Sequence, residues 1–221
     1  MIRGAIFDVD GVLLDSLGIW DTLGDRYLRQ RGITPAPTLR SELETLSMEE
    51  GAEWLKKRYA LAERTPDILA GLNAVLADFY LHQAGAREQI VQIAQMLHQR
   101  GMKLAVATSG SLSLAQAALK RLSLHPLFAH FVSCAQAGAG KQQPDVYQLC
   151  AQKLGMREEQ LLVFEDAPFA LRSALDAGFH GIGVSEPHHD QRLLHQISEI
   201  YIDEQMSAEA FIQKLREKCL I

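Results

Sequence analysis

The sequence predicts an α/β fold: a doubly wound parallel sheet interrupted by an inserted, all-helical block. Three observations predict it. A short apolar strand opens the chain at Ala5-Ile6-Phe7. From residue 87 onward, helix-like stretches alternate with short apolar strands, the pattern of parallel strands covered by helices on both faces. Residues 17–83, by contrast, hold no convincing strand and four helical stretches. The expected division is an α/β core of residues 1–16 and 84–221 and a helical insert of residues 17–83.

The elements follow in order. Within the insert, Trp20 to Arg31, Arg40 to Glu44, Ser47 to Tyr59 and Pro66 to Tyr80 read as helices. Gly32-Ile-Thr-Pro-Ala-Pro37 and Glu63-Arg-Thr-Pro66 break them. Asp15 to Gly18 and His82 to Gly85 are the expected linkers. Trp54 and Tyr27 read as core of the insert, with Trp20, beside the first linker, turned to a cleft. A helix from Arg87 to Gln99 stops at Arg100-Gly101, as a glycine C-cap requires. Strands follow at Lys103 to Thr108, Phe131 to Ser133, Leu161 to Phe164, Gly181 to Val184 and Ile200 to Ile202. Between and after them come helices at Leu112 to Leu122, Asp145 to Leu154, Pro168 to Ala177 and Ala208 to Lys218. Pro144 is placed to start the second of these and Gly155 to end it.

Composition narrows the function classes. The 221 residues are 48% hydrophobic and 22% charged, ordinary for a soluble globular chain long enough to bury a core. The net charge of -5 argues against a nucleic-acid or anionic-membrane partner. Cys134, Cys150 and Cys219 are scattered and form no CxxC pair, so reduced thiols are expected. There is no signal-peptide pattern and no apolar run of membrane-spanning length. A cytoplasmic monomer is the expectation.

Three strand ends and one loop carry the chemistry. The first runs into Asp8 and Asp10, the second into Thr108-Ser109-Gly110, and the fourth into Glu165-Asp166. Lys141 lies in the loop between the third and fourth. Parallel strands bring such ends to one edge of the sheet, where sites of this architecture form. Several carboxylates there would repel unless a hard cation joined them. Oxygen ligands without histidine or cysteine suit magnesium rather than zinc or copper. Thr108, the amides of Ser109 and Gly110 opening the next helix, and Lys141 suit the oxygens of a phosphoryl group. One carboxylate can then act as nucleophile and a second as acid and base. Asp145 reads as a helix N-terminal charge, and His188-His189-Asp190 as a solvated loop rather than a metal cluster.

This pattern resembles the haloacid dehalogenase-like hydrolase superfamily. Asp8-Val-Asp10-Gly11-Val12 is similar to its first motif, DxDGV; Thr108 to the second; Lys141 to the third; and Glu165-Asp166 to the fourth. The likeness spans nearly the whole chain. It includes the helical insert, similar to the small cap of beta-phosphoglucomutase-like and phosphoglycolate-phosphatase-like members. The resemblance implies Asp8 as nucleophile and magnesium ligand. It implies Asp10 as general acid and base, with its carbonyl on the metal. Asp166 would be a ligand, with Glu165 a ligand or the partner of a metal-bound water. Thr108 and the Ser109 amide would hold the phosphate, and Lys141 would neutralise both it and Asp8.

The implied activity is a magnesium-dependent phosphatase acting on a small phosphorylated metabolite through an aspartyl phosphate. Two alternatives stand beside it: a sugar-phosphate mutase, and a non-catalytic relative that binds phosphorylated metabolites. Leu17-Gly18-Ile19-Trp20-Asp21 lacks the histidine of mutase members, and Leu43 to Ser47 lacks their arginine and glycine. Dehalogenation has no need of Asp10, and phosphonate cleavage would need a lysine in the insert as a Schiff base.

Overall fold

The computed structural model describes residues 1–43 and 46–221. Glu44 and Thr45, part of the segment compared above with the mutase cap, lie outside the described residues. The chain divides into two compact units, one of Met1–Asp15 with Gly85–Ile221 and one of Ser16–Ala84.

In chain order the first unit begins with β1 (Gly4–Phe7) and the two-residue β2 (Leu14–Asp15). The helical unit then supplies α1 (Gly18–Arg29), α2 (Leu39–Leu43), α3 (Met48–Tyr59) and α4 (Thr65–Asp78), continued by a π-helical turn at Phe79–Gln83. The chain re-enters the first unit through β3 (Gly85–Ala86), α5 (Glu88–Gln99), β4 (Lys103–Thr108), α6 (Leu112–Arg121), β5 (Phe128–Ser133), α7 (Cys134–Ala137) and α8 (Asp145–Leu154). It ends with β6 (Leu161–Glu165), α9 (Pro168–Asp176), β7 (His180–Val184), α10 (Gln191–Ile197), β8 (Ile200–Ile202) and α11 (Ala208–Glu217).

Among the described residues the main sheet has six strands, all parallel, in the order β5-β4-β1-β6-β7-β8. The chain lays down β4 and β5 on one side of β1, then returns to its other side for β6, β7 and β8. That reversal makes the C-terminal end of β1 the switch point where doubly wound sheets place their ligands. Phe7 pairs with Val106 on β4 and Phe164 on β6, so the three strand ends lie abreast.

Alternating side chains build a core on each face. Ile6, Ala105 and Val163 meet Val146, Tyr147 and Cys150 of α8 and Ala174 of α9. On the other face the Phe7 and Phe164 rings stack at 4.2 Å, and Phe164 lies 5.5 Å from Phe211 of α11. Each buried ring or branched aliphatic side chain contributes about 1.5–3 kcal/mol. Gly4 is required by close approach, since a methyl group there would stand 2.5 Å from the Lys103 carbonyl oxygen. β5 begins three residues earlier than its apolar pattern indicates, because Phe128 pairs with Leu104 across a register shift. Cys134 and Cys150 are buried and Cys219 is exposed, all three as free thiols.

The helical unit packs α4 against α1 and α3. Tyr27, Leu28, Leu55 and Ile68 are fully buried within it. Gly71 makes room for the Tyr27 ring, and the Arg31 guanidinium lies 3.7 Å from that ring's centre. Ser47 and Glu50 form a reciprocal capping box at the start of α3. Trp54 is half-buried, while Trp20 is 50% exposed at the rim of a cavity of about 480 Å³ lined by Asp21, Arg40 and Leu43. No described helix is long and apolar enough to cross a membrane.

Candidate active site

Asp8 directly follows β1, and its N–H donates to the Phe164 carbonyl at 3.1 Å, so the ladder still holds the backbone there. Beyond it the chain folds back sharply. The Val9 carbonyl accepts from the amides of Leu13 and Leu14, and Gly11 adopts φ +79°, a conformation that favours glycine. Asp10 is thereby turned toward the end of β4. A methyl group on Gly110 would stand 3.5 Å from both Asp10 Oδ2 and Thr108 Oγ1, so these two side chains flank the same backbone position.

Thr108 is the last residue of β4 and is buried; its Oγ1 accepts from the Gly110 amide at 3.0 Å. The amides of Ser109 and Gly110 do not open the next helix. Helix α6 starts at Leu112, and Ser111 caps it by accepting from the Leu114 amide. Serine is a strong N-cap residue, and the helix starts at Leu112 as its sequence pattern indicates, beyond the Ser109 and Gly110 amides. Ser109 is exposed in the bend.

Lys141 stands in the loop between α7 and α8 and is only 6% exposed. Its ammonium donates to Asp8 Oδ1 and, at 2.6 Å, to Glu165 Oε1. The Tyr147 hydroxyl donates to the same Glu165 oxygen at 2.7 Å. Asp166 follows β6. Ligand oxygens of Asp8, Glu165 and Asp166 all lie within 4.8 Å of one another, and all three residues are buried. Asp145 occupies the first turn of α8.

The electrostatics follow from crowding. Burial pushes the Asp8 carboxyl well above the usual range; Lys141 opposes this, while Glu165, Asp166 and Asp10 add to it. Burial likewise raises Glu165, again against Lys141. Burial disfavours the Lys141 charge, but Asp8 and Glu165 outweigh it and hold the ammonium protonated well above its ordinary range. One ammonium thus pairs with two carboxylates, while Asp166 and Asp10 add further negative charge around Asp8. Asp166 Oδ2 is buried and accepts no hydrogen bond of normal length. An all-oxygen cluster with surplus negative charge, in which Asp166 Oδ2 is met only by the His189 ring at the long distance of 3.4 Å, fits a hard divalent cation.

The His188-His189-Asp190 segment is the exposed loop expected of it at His188 and Asp190, while His189 is half-buried. Its residues part company: His188 Nδ1 lies 2.6 Å from Glu186 Oε1, His189 Nε2 lies 3.4 Å from Asp166 Oδ2, and Asp190 caps α10. The hydrogen-bonding interaction with Asp166 raises the His189 imidazole above its ordinary value. Arg87 braces this region by donating to the carbonyls of Gly11 and Ser185 and to Glu186. Sequence reasoning missed Tyr147, Ser173, Arg87 and the reach of His189. A polar hydroxyl inside the apolar stripe Ala170-Leu171-Ser173-Ala174 was the one available signal.

The chain is similar to known proteins over most of its length. Hexitol phosphatase A of Escherichia coli (strain K12) is 29% identical over 221 residues, covering 96% of this chain and 99% of the relative. Fructose-1-phosphate phosphatase of the same organism is 27% identical over 186 residues, covering 82% and 95%. Among solved structures, a provisionally named beta-phosphoglucomutase from Thermotoga maritima superposes with a TM-score of 0.84 at 22% identity, covering 98% and 99%, a likeness of fold. The family model for haloacid dehalogenase-like hydrolases matches residues 2–178, and the chain belongs to that family.

Proposed function

We propose that the protein is a magnesium-dependent phosphatase that hydrolyses a small phosphorylated metabolite, a sugar or polyol phosphate, through a phosphoryl group carried on Asp8. The observation that carries this reading is the convergence of Asp8, Glu165 and Asp166 within 4.8 Å beside a buried lysine. The phosphatase names of the two Escherichia coli relatives support the substrate class.

Asp8 supplies a carboxylate oxygen to phosphorus as the bond to the leaving alkoxide breaks. Asp10 gives its proton to that alkoxide, then takes one from the water that attacks phosphorus and frees Asp8. Lys141, Thr108 and the Ser109 amide hold the non-bridging oxygens as charge grows on them. Asp8, Glu165, Asp166 and the Asp10 carbonyl would hold the magnesium ion, which when bound neutralises carboxylate and phosphoryl oxygens together.

The test is hydrolysis of p-nitrophenyl phosphate with and without magnesium, by wild type and Asp8→Asn. Turnover should require magnesium and fall by roughly 10³-fold or more in the variant. Magnesium-independent turnover, or full activity in Asp8→Asn, overturns the mechanism. Conversion of glucose 1-phosphate to glucose 6-phosphate without phosphate release would favour the mutase instead.

A further inference from the structure

A lysine on a loop is a poor instrument for catalysis unless something fixes it, because its stem is flexible and its charge is a single point. Two hydroxyl groups that the mechanism above does not use both bear on Lys141. The Ser173 hydroxyl, on α9, lies 2.7 Å from the Lys141 carbonyl oxygen and 2.9 Å from that of Ala170. A buried helical serine ordinarily bonds back to its own preceding turn; here the shorter contact is to the lysine's main chain. The Tyr147 hydroxyl, on α8, donates to the Glu165 oxygen that also receives the Lys141 ammonium. Tyr147 is fully buried, where a phenylalanine would fill the same space without a polar group to satisfy.

We propose that Ser173 and Tyr147 are positioning residues for Lys141: Ser173 fixes its main chain, and Tyr147, through Glu165, fixes its ammonium against Asp8. The two holds come from different helices and grip opposite ends of the residue. Helix α8 begins four residues after Lys141, so its packing on the sheet sets Tyr147 in place while the loop follows. This inference rests on the reading that Lys141 serves the phosphoryl group.

The test uses Tyr147→Phe and Ser173→Ala, each alone and in a Lys141→Met background, together with the inhibition constants for orthovanadate and inorganic phosphate. Each single variant should lower kcat for p-nitrophenyl phosphate about 10- to 100-fold. KM and the phosphate constant should stay within about twofold, while affinity for vanadate, which mimics the transition state, falls with kcat. In the Lys141→Met background the same substitutions should change kcat less than about twofold, because the residue they act through is gone. A second measurement needs no turnover: in nitrogen-15-labelled protein the immobilised Lys141 ammonium gives a sharp, slowly exchanging signal, and each variant should broaden or abolish it. A retained sharp signal, unchanged kcat, or equal losses in both backgrounds overturns the proposal. Absence of turnover in wild type would count against the phosphatase reading and leave the ammonium signal to decide this one.

Discussion

The two units differ in where they bury charge, although the α/β unit also carries exposed pairs such as Arg157–Glu159. In the α/β unit, Lys141, Asp8 and Glu165 form ion pairs with side chains no more than 7% exposed. In the helical unit, Arg29–Asp25, Arg40–Asp21, Lys57–Glu53 and Arg64–Asp67 form pairs whose basic members are 60–79% exposed. Exposed pairs are screened by water and add little stability. Buried pairs cost desolvation that their attraction barely offsets, so they mark chemistry rather than strength. The cluster past the end of β1 is therefore where the α/β unit departs most from a purely structural core. The helical unit is held by Tyr27, Leu55 and Ile68.

Breaking the buried cluster should do the most. Lys141→Met strands Asp8 and Glu165 without their cation, and should destabilise the α/β unit by about 3–5 kcal/mol besides reducing turnover. Amide exchange in β1 and β6 measures it. Ile68→Ala probes the other unit: it should cost about 2–5 kcal/mol, the penalty of an unfilled space among α1, α3 and α4. Both tryptophans, Trp20 and Trp54, belong to the helical unit, so their fluorescence during urea unfolding reads that unit. If Lys141→Met moved the tryptophan transition as far as Ile68→Ala, the two units would be unfolding as one.

Smaller effects sharpen the contrast. Hydrogen bonds from the Ser47 backbone and hydroxyl hold Glu50 below its ordinary range, and hydrogen bonds from Thr65 and Lys57 do the same for Glu53. A carboxyl lowered in the folded state stabilises above its unfolded value, about 4.3, and loses that contribution as pH falls through the lowered one. The tryptophan-detected midpoint should thus be flat above about pH 5 and fall toward pH 3. Least of all, Arg64→Ala should leave the midpoint essentially where it is, because its pair with Asp67 is screened by water.

How much of this was legible in the sequence follows from where each signal resides. Asp8, Thr108 and Glu165 each end an apolar run, so strand and site could be read together. The caps Gly155 and Pro144 announced α8 because they act on their own neighbours. Nothing marked Tyr147 within the helix Asp145 to Leu154, since its partner Glu165 is brought to it only when β6 inserts beside β1. Ser173 and Lys141 are 32 residues apart and meet through the same topology. The pair β2 and β3 is two residues long on each side, too short for any periodicity to show. The loop at 188–190 looked uniformly polar because composition does not say which histidine a neighbouring carboxylate will engage.

That short antiparallel ladder, Leu14 with Ala86 and Asp15 with Gly85, has a consequence for descent. Where the insert leaves and re-enters the α/β unit, its two ends are one strand spacing apart, about 4.8 Å. Seen from the sheet, the 69 residues of Ser16–Ala84 are a hairpin loop whose length the ladder does not register. Closing a loop costs little more as it lengthens. A gene lineage could therefore trade one insert for another, shorter or longer, without moving the strand end that carries Asp8 and Asp10.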